Sequence, residues 1–385
     1  MKSDKKIYLD YNATTPADPR VVDELLPYFT QKFGNSSSSG HVFGWEADEA
    51  VERAREQVAD LIGVSAGEIY FTSGATEAIN ITMKGLAQAN RDKGDHIITC
   101  TTEHKAVLDT CKSLENSGYS ITYLPVDESG AIELQDLKNA LTDQTILVCL
   151  MHANNETGTL HPIKEISRIT QSYGIALMSD ATQTVGKIQV SARELGADIL
   201  TFSSHKLYGP KGAGALYISK DNKPKIDPVL TGGGQEKGLR PGTLNVPAIV
   251  GFGKACEICA HEMASDTERL TTLRSRLESE LKQIHGVSIN GDQANRLPYM
   301  TNISFHNIDS SHLLLRLKNL AVSQGSACSS SMHQPSHVLK AMGLSDELAF
   351  SSIRIGLGRF TTQKEVATAI REIKAVLPEL RLVAG

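Results

Sequence analysis

The feature that most limits how this chain can fold is the alternation of short apolar segments with amphipathic helical patterns. The clearest apolar segment, residues 146–151, reads Ile-Leu-Val-Cys-Leu-Met. Such a run suits a strand buried on both faces, as in a parallel sheet covered by helices. A typical helical pattern carries Val51, Ala54 and Val58 on one face and ends at Gly63. The alternation predicts an α/β fold with a largely parallel sheet.

The last third of the chain is organised differently. A long amphipathic helix there carries Leu270, Leu273, Leu277 and Leu281. A strand near residues 302–305 and a final helix, opened by a Thr362/Glu365 capping box, predict a second, smaller α+β domain. With 385 residues the chain is long enough for two domains. We place the large domain at residues 16–261 and the small domain at residues 1–15 and 262–385.

Charge and composition restrict the partners. A formal net charge of -5 gives no electrostatic reason to expect binding to nucleic acid or to an anionic membrane. There is no apolar signal core at the N-terminus and no run long enough to span a bilayer. The six cysteines are scattered, and the Cys256/Cys259 pair has no second pair to complete a metal site. We therefore expect a cytoplasmic protein with reduced thiols.

One lysine stands out because it follows a buried-strand pattern directly. Residues 199–202 are strand-like, and Ser203, Ser204, His205 and Lys206 come next. Desolvation lowers the pKa of a lysine, and a neutral amine attacks carbonyl groups. The pattern predicts a Schiff-base lysine beside hydroxyl and imidazole groups that hold a cofactor phosphate. The alternative is a surface hairpin whose lysines face water.

Ligands of open α/β sheets bind at the carboxyl ends of the strands. The residues expected there are Ser73 to Thr76, His104, Asn154 to Glu156, Asp180 to Gln183, and Ser203 to Lys206. The first group opens a helix, whose free amide groups favour a phosphate, although such turns also serve as ordinary helix caps. Asp180 suits a protonated pyridine nitrogen, with Gln183 near a phenolic oxygen, or else Asp180 is a helix N-cap. His104 either stacks on a planar cofactor or caps a helix.

Cys328 lies in a long run of small and polar residues. This composition predicts a mobile loop with an accessible thiol, which is a candidate nucleophile. The alternative is an incidental loop cysteine. Arg354 follows in a strand-like segment, and its guanidinium group would bind a substrate carboxylate through two hydrogen bonds.

Taken together, these residues resemble the NifS/IscS-type cysteine desulfurases, pyridoxal-phosphate enzymes of the class V aminotransferase group. The matching segments are residues 9–15, 72–77, 102–105, 154–156, 180–183, 204–212 and 325–328. The resemblance implies a fold-type I pyridoxal-phosphate transferase. Its large domain would hold a mostly parallel seven-stranded sheet flanked by helices, and its smaller α+β domain would carry the Cys328 loop.

The resemblance also implies a role for each candidate, with Cys328, Lys206 and His104 as the catalytic residues. Lys206 would carry pyridoxal 5'-phosphate as an internal aldimine, and His104 would stack on the ring. Asp180 would pair with the pyridine nitrogen and Gln183 with the ring oxygen. The phosphate would be held by Ala75, Thr76, Ser203, His205 and, in a homodimer, the partner subunit's Thr243. Asn155 would contact the cofactor and, with Arg354, the substrate carboxylate.

By the same resemblance the substrate is L-cysteine. The freed Lys206 amine takes the Cα proton while the pyridinium accepts the electrons. Cys328 then attacks the substrate sulfur and becomes a persulfide, and L-alanine is released. The persulfide would serve a sulfur-acceptor or iron-sulfur scaffold protein, whose identity the sequence leaves open. We also expect Cys328 to ligate an iron-sulfur cluster transiently.

Two rival functions stay open on the sequence. One is a related pyridoxal-phosphate enzyme, such as an aminotransferase or a selenocysteine lyase, and Cys328 argues against the simple aminotransferase. The other is a sulfur-carrier or scaffold module without catalysis, which would need a broken cofactor site. Lys206, Asp180, Gln183 and His104 are all present, so the intact enzyme is favoured.

Overall fold

The structure is a computed structural model that describes residues 6–222, 224–308, 310–325 and 334–381. Cys328, and with it the predicted nucleophile and cluster ligand, lies outside the described residues. Within the described ranges, no helix is both long enough and apolar enough to cross a membrane.

Within the described residues, three sheets are built from twelve strands. They are β1 (Ile7–Tyr8), β2 (Ile69–Thr72), β3 (His96–Cys100), β4 (Ser120–Leu124), β5 (Thr145–Cys149), β6 (Ala176–Asp180), β7 (Ile199–Ser203), β8 (Gly214–Ile218), β9 (Val287–Asn290), β10 (Met300–Phe305), β11 (Leu320–Ala321) and β12 (Ser352–Gly356). The central sheet has seven strands in the order β2-β8-β7-β6-β5-β3-β4. Only β8 runs antiparallel to its neighbours there. The predicted α/β fold with a mostly parallel sheet is confirmed.

Helices connect most of these strands. They are α1 (Pro19–Leu25), α2 (Pro27–Thr30), α3 (Val42–Ile62), α4 (Ala75–Ala89), α5 (Lys105–Glu115), α6 (Leu134–Ala140), α7 (Ile163–Ser172), α8 (Ala192–Leu195), α9 (Val246–Lys282), α10 (Ser310–Arg316), α11 (His337–Ala341), α12 (Asp346–Phe350) and α13 (Gln363–Arg381). Helix α3 ends at Gly63, as predicted, because Gly63 adopts the left-handed conformation (φ 70°) that closes the last turn. The Thr362/Glu365 capping box before α13 is also present.

The central sheet is covered on both faces, which explains the apolar character of its strands. Ile199 of β7 packs in a cluster with Ile79 of α4. Phe202 of the same strand points to the opposite face, where its ring meets Phe252 of α9 at a centroid distance of 5.9 Å. Burying one such side chain stabilises the fold by about 1.5 to 3 kcal/mol. Packing on both faces holds the sheet in position. It thereby also positions the strand ends and the residues that follow them.

A second apolar cluster lies around the three-stranded sheet of order β12-β10-β9. It includes Ile7 and Leu9 from the N-terminus and the leucines of the C-terminal half of α9. Helix α9 is continuous from Val246 to Lys282 and so contributes to both cores. The predicted boundary between residues 261 and 262 falls inside this helix, and the domain division stays a prediction.

Gly214 at the start of β8 gives a test of how tightly this sheet packs. A Cβ atom there would lie 2.5 Å from the Cα atom of Gly74, in the turn before α4. We expect Gly214→Ala to lower the free energy of unfolding by about 1 to 3 kcal/mol, because backbone atoms have to move apart. Urea unfolding followed by circular dichroism measures this. Gly67→Ala is the matched control, since a Cβ atom at Gly67 meets nothing within 4 Å. Equal losses in the two variants would contradict the prediction.

Candidate active site

A cavity of about 410 Å³ lies where the carboxyl ends of the central strands meet the N-terminal segment. It brings together ten of the residues that the sequence analysis selected. They are Ala75, Thr76, His104, Asn155, Asp180, Gln183, Ser203, His205, Lys206 and Arg354. Residues separated by up to about 280 positions along the chain thus line one site, as expected for the strand-end edge of an α/β sheet.

Of the residues expected at the strand ends, Asn154, Glu156, Ala181 and Ser204 do not line this cavity. Thr243 is exposed, in the stretch just before α9, and does not line the cavity of its own chain. Cys328 cannot be placed, because it lies outside the described residues. Among the residues that are described, no group of three or more His, Cys, Asp or Glu side chains is arranged to hold a metal ion.

Lys206 is half-buried and reaches the cavity from a short 3-10 turn, Ser204–Lys206, that follows β7. Its amine donates hydrogen bonds to the main-chain carbonyls of Asn12 (2.5 Å) and Ala13 (2.7 Å). Strands β7 and β8 do form an antiparallel pair, but inside the central sheet rather than on the surface. The solvated-lysine alternative is therefore wrong for Lys206, whereas Lys211 is exposed.

One end of the cavity suits an anion. Helix α4 begins at Ala75, and its N-cap Gly74 has no side chain to satisfy the first amide groups. Free amide groups and the helix dipole attract phosphate. His205 lies on the same cavity wall, and burial lowers the pKa of its imidazole to about 4, with the charges of Lys206 and Lys211 adding to the effect. A neutral imidazole at this point can donate or accept a hydrogen bond without adding charge.

Asp180 is the last residue of β6, and Gln183 follows it in the next turn. Asp180 is buried, and its Oδ1 accepts the amide N–H of Thr182 at 2.9 Å, so it does cap the following turn. It also lines the cavity, and a buried carboxylate is stabilised by a cationic partner. The Gln183 amide donates from Nε2 to the carbonyl of Asn12 at 3.0 Å, which is the same oxygen that Lys206 uses.

His104 caps a helix, which confirms one of its predicted alternatives, while stacking on a cofactor stays a prediction. It is the N-cap of α5, where its Nδ1 accepts the amide N–H of Ala106 at 3.1 Å, and its ring lines the cavity. Burial lowers the pKa of His104; the charge of Asp180 opposes this and that of Lys206 reinforces it. Because Nδ1 accepts a hydrogen bond, the neutral ring carries its proton on Nε2. The ring orientation is thus fixed by the helix that it caps.

Arg354 of β12 is the largest of the fully buried side chains, with 1% exposure. It donates from Nη1 to the carbonyl of Asn155 (3.0 Å) and from Nη2 to Asp10 (2.8 Å). Its Nε has no hydrogen-bond partner among the described residues. A buried guanidinium with fixed orientation and an unsatisfied N–H group fits a carboxylate ligand.

In the sequence, residues 9–15 stand out only as a segment that matches the family, and none of them has a predicted role in the site. In the structure two of them, Asn12 and Ala13, supply both carbonyls that hold the Lys206 amine. Main-chain carbonyls leave no residue signature, so this role could not be identified from the sequence. The sequence does indicate that this segment follows the first strand directly, which is a position where site residues are common in α/β sheets.

The fold and the cavity together define a class of protein. A cavity lysine, a helix N-terminus for a phosphate, a buried carboxylate and an imidazole are the groups that pyridoxal 5'-phosphate requires. The residues present fit this cofactor, and Arg354 adds a buried guanidinium with one unsatisfied N–H group. We conclude that the chain has the site of a pyridoxal-phosphate enzyme.

Comparison with known proteins agrees with this class. The class-V aminotransferase family matches residues 7–368. The cysteine desulfurase IscS of Anaeromyxobacter sp. (strain Fw109-5) is 49% identical over 376 residues, which cover 97% of this chain and 93% of the relative. A solved NifS-like protein is 40% identical with a TM-score of 0.90, covering 97% of this chain and 100% of that one. A structure of SspA in complex with cysteine is 36% identical with a TM-score of 0.82, covering 93% and 100%. This chain belongs to the class-V aminotransferase family, in its cysteine desulfurase branch.

The low pKa of His205 predicts a pH effect on the stability of the cofactor-free protein. The imidazole ordinarily takes up its proton near pH 6.5, but in the folded protein only near pH 4. The contribution of His205 to stability is therefore complete above pH 6.5 and is lost as the pH falls toward 4. Between these two pH values His205 is protonated in the unfolded chain but not in the folded protein. We expect the free energy of unfolding to fall less steeply over this interval in His205→Gln than in the wild type. The control is His261→Gln, at an exposed position on α9; curves of equal slope for wild type and His205→Gln would contradict the prediction.

Proposed function

We propose that this protein converts L-cysteine to L-alanine and passes the sulfur to Cys328 as a persulfide. In this reaction the Cβ–S bond of the substrate breaks and an S–S bond forms on the enzyme, while the three-carbon product takes up a proton. The observation that carries the proposal is the convergence of Lys206, Asp180 and Arg354 on one cavity. The cysteine bound to a relative that is 36% identical supports the choice of substrate.

Bound pyridoxal phosphate supplies an electron sink for the substrate Cα. The protein groups around it then have distinct tasks. Asp180 would balance the positive charge of the ring nitrogen, and His104 would cover the ring face. Lys206 and Gln183 share the Asn12 carbonyl, so the Gln183 Nε2 lies beside the lysine nitrogen and is placed to donate to the neighbouring ring oxygen. The Lys206 amine, once free, would remove the Cα proton.

Arg354 and Asn155 would fix the substrate by its carboxylate. The Arg354 guanidinium is already oriented by Asp10 and by the Asn155 carbonyl, so little side-chain freedom is lost when a ligand binds. Its buried position strengthens a hydrogen bond to a carboxylate, because the surroundings are poor in water. An α-amino acid held this way would present its amino group toward Lys206.

The residues that flank Cys328 support its part in the reaction. A Cβ atom on Gly325 would lie 3.2 Å from Oε2 of Glu156, and Ser336 donates to the same oxygen at 2.5 Å. Glu156 directly follows Asn155, which lines the cavity. Gly325 and Ser336, described residues on either side of the stretch that contains Cys328, therefore both lie near Glu156. We assign the sulfur-accepting thiolate to Cys328 on this basis and on its resemblance to the desulfurases.

The cellular setting is part of the proposal. The five cysteines in the described part of the chain are all buried and free of disulfide bonds, which suits a reducing compartment such as the cytoplasm. A persulfide must be handed on, and we propose a sulfur-acceptor or iron-sulfur scaffold protein as its recipient. Transient cluster ligation by Cys328 belongs to the same proposal.

We also propose a homodimer. Exposed apolar side chains form an aromatic patch, which we define as Phe33, Val42, Phe43 and Trp45; they are 65, 51, 47 and 58% exposed. The Phe33 and Phe43 rings stack at 5.6 Å. Large exposed aromatic side chains are typical of interfaces. A second copy would cover this patch, and the partner subunit's Thr243 could then complete the phosphate site.

The catalytic proposal is tested by measuring alanine and sulfide formation from L-cysteine with a reductant. We expect both Lys206→Ala and Cys328→Ala to reduce turnover by about a thousandfold or more, since each removes a group that forms or breaks bonds. Only Lys206→Ala should lose the visible absorption of the lysine-bound cofactor. Cys111→Ala, at a buried thiol of α5, is the control and should keep near-normal turnover. Undiminished turnover in Cys328→Ala would exclude the persulfide route.

The dimer proposal is tested by sedimentation. The wild type should sediment at twice the chain mass of 41.6 kDa. The double variant Phe33→Glu/Trp45→Glu should sediment as a monomer at micromolar concentration, because two charges would be buried in the interface. Tyr173→Glu, which changes an aromatic side chain that is 61% exposed outside the aromatic patch, should leave the dimer intact. A dimeric double variant would place the interface elsewhere.

A further inference from the structure

The side-chain amide of Gln183 is held by Tyr299 and Asn12. Its Oε1 lies 3.1 Å from the hydroxyl of Tyr299 and 3.3 Å from Nδ2 of Asn12. Its Nε2 donates to the main-chain carbonyl of Asn12 at 3.0 Å. The oxygen end of the amide therefore faces two hydrogen-bond donors, and the nitrogen end faces the oxygen that also binds Lys206.

This arrangement distinguishes between the two orientations of the amide. Turning a glutamine amide by 180° exchanges its donor and acceptor without changing its shape. In the turned state Oε1 would face the Asn12 carbonyl oxygen, and Nε2 would face the Asn12 Nδ2 donor. Two acceptors and two donors would then oppose each other in a buried site, where unsatisfied polar groups are costly. The observed orientation avoids both of these conflicts.

Tyr299 contributes to this selection from outside the cavity. It is 1% exposed, directly precedes β10, and does not line the cavity wall. Its single hydroxyl proton is shared between the main-chain carbonyl of Gln183 at 2.7 Å and Oε1 at 3.1 Å, and the ring lies 4.2 Å from Nζ of Lys187. Packing thus holds the tyrosine in place while its hydroxyl stays within reach of both Gln183 oxygens.

We propose that Tyr299, together with the Asn12 side chain, is a positioning residue that keeps the Gln183 Nε2 directed at the ring oxygen of the cofactor. The inference rests on the proposed function, because it deepens the role of Gln183 in that site. A residue of the C-terminal core would thereby control the electronic state of a cofactor bound at the central sheet.

The expected consequence is spectroscopic. A donor at the ring oxygen stabilises its negative charge and so makes it easier for the lysine-bound cofactor to lose its proton. Without that donor the oxygen is more basic and the proton is held more tightly. The pH at which the visible band of the holoenzyme titrates should therefore rise. A merely structural role of Tyr299 would lower thermal stability without moving this midpoint.

The experiment is a pH titration of the visible band in the purified holoenzyme. Gln183→Ala should raise the midpoint by about one pH unit, the effect of losing a hydrogen bond to a charged group. Tyr299→Phe, which removes only the hydroxyl, should raise it by a clear fraction of that amount. The double variant should match Gln183→Ala, because the tyrosine acts through the glutamine. Tyr217→Phe, at a buried tyrosine of β8 away from the cavity, should titrate like the wild type.

Each result has a distinct meaning. A midpoint unchanged in Tyr299→Phe but raised in Gln183→Ala would overturn the inference and leave the proposed function standing. An unchanged midpoint in both would also overturn it, because Gln183 would then not reach the ring oxygen. A wild type without a visible band would instead refute the proposed function. If Tyr299→Phe does not fold, Asn12→Ala keeps the main-chain carbonyl, removes the other donor to Oε1, and should raise the midpoint in the same direction.

Discussion

The main-chain carbonyl of Asn12 accepts hydrogen bonds from the Lys206 amine at 2.5 Å and from the Gln183 amide at 3.0 Å. This one oxygen joins the N-terminal segment to the ends of β6 and β7. The lysine and the glutamine are 23 positions apart in the sequence, yet their nitrogen atoms meet at the same acceptor. Lys206 and Gln183, which we propose as residues that hold the cofactor, are thereby held at the same carboxyl edge of the sheet.

The charged groups of the site are each paired or held by neighbours, which allows them to be buried. Arg354 is bound by Asp10 and by the Asn155 carbonyl, and Asp180 accepts an amide N–H group. The imidazoles of His104 and His205 have pKa values lowered by burial, so they stay neutral near neutral pH. Besides Asp180, Lys206 and Arg354, the charged residues that line the cavity are Glu77, which is paired with Arg240, and the exposed Lys211. An apolar shell with few fixed charges strengthens each of these interactions.

Sequence patterns were sufficient for the parts of the site that depend on strand ends. The apolar run at residues 146–151 predicted β5, and the strand-end rule selected Lys206, Asp180 and His104, which the cavity brings together. Patterns did not show that α9 runs unbroken through both cores, because its first half is buried on most sides while its second half buries a single stripe of leucines. They also missed Tyr299, whose contact with Gln183 spans 116 positions and leaves no local signal.

Desolvation alone does not distinguish Lys206 from the other lysines of the chain. Lys187 is more deeply buried, and burial lowers the pKa of its amine well below the usual value. Yet its Nζ lies against the Tyr11 carbonyl and the Tyr299 ring and does not line the cavity. The two lysines differ in their access to the cavity, and that access is defined only by the tertiary structure.

The central claim is that one lysine, Lys206, forms the covalent link to pyridoxal phosphate. Reduction of the freshly purified protein with sodium borohydride, followed by peptide mass spectrometry, tests it directly. The account predicts a single phosphopyridoxyl group on the peptide that contains Lys206. A group on Lys187 or Lys211 instead, or no modified lysine in a protein saturated with the cofactor, would contradict it.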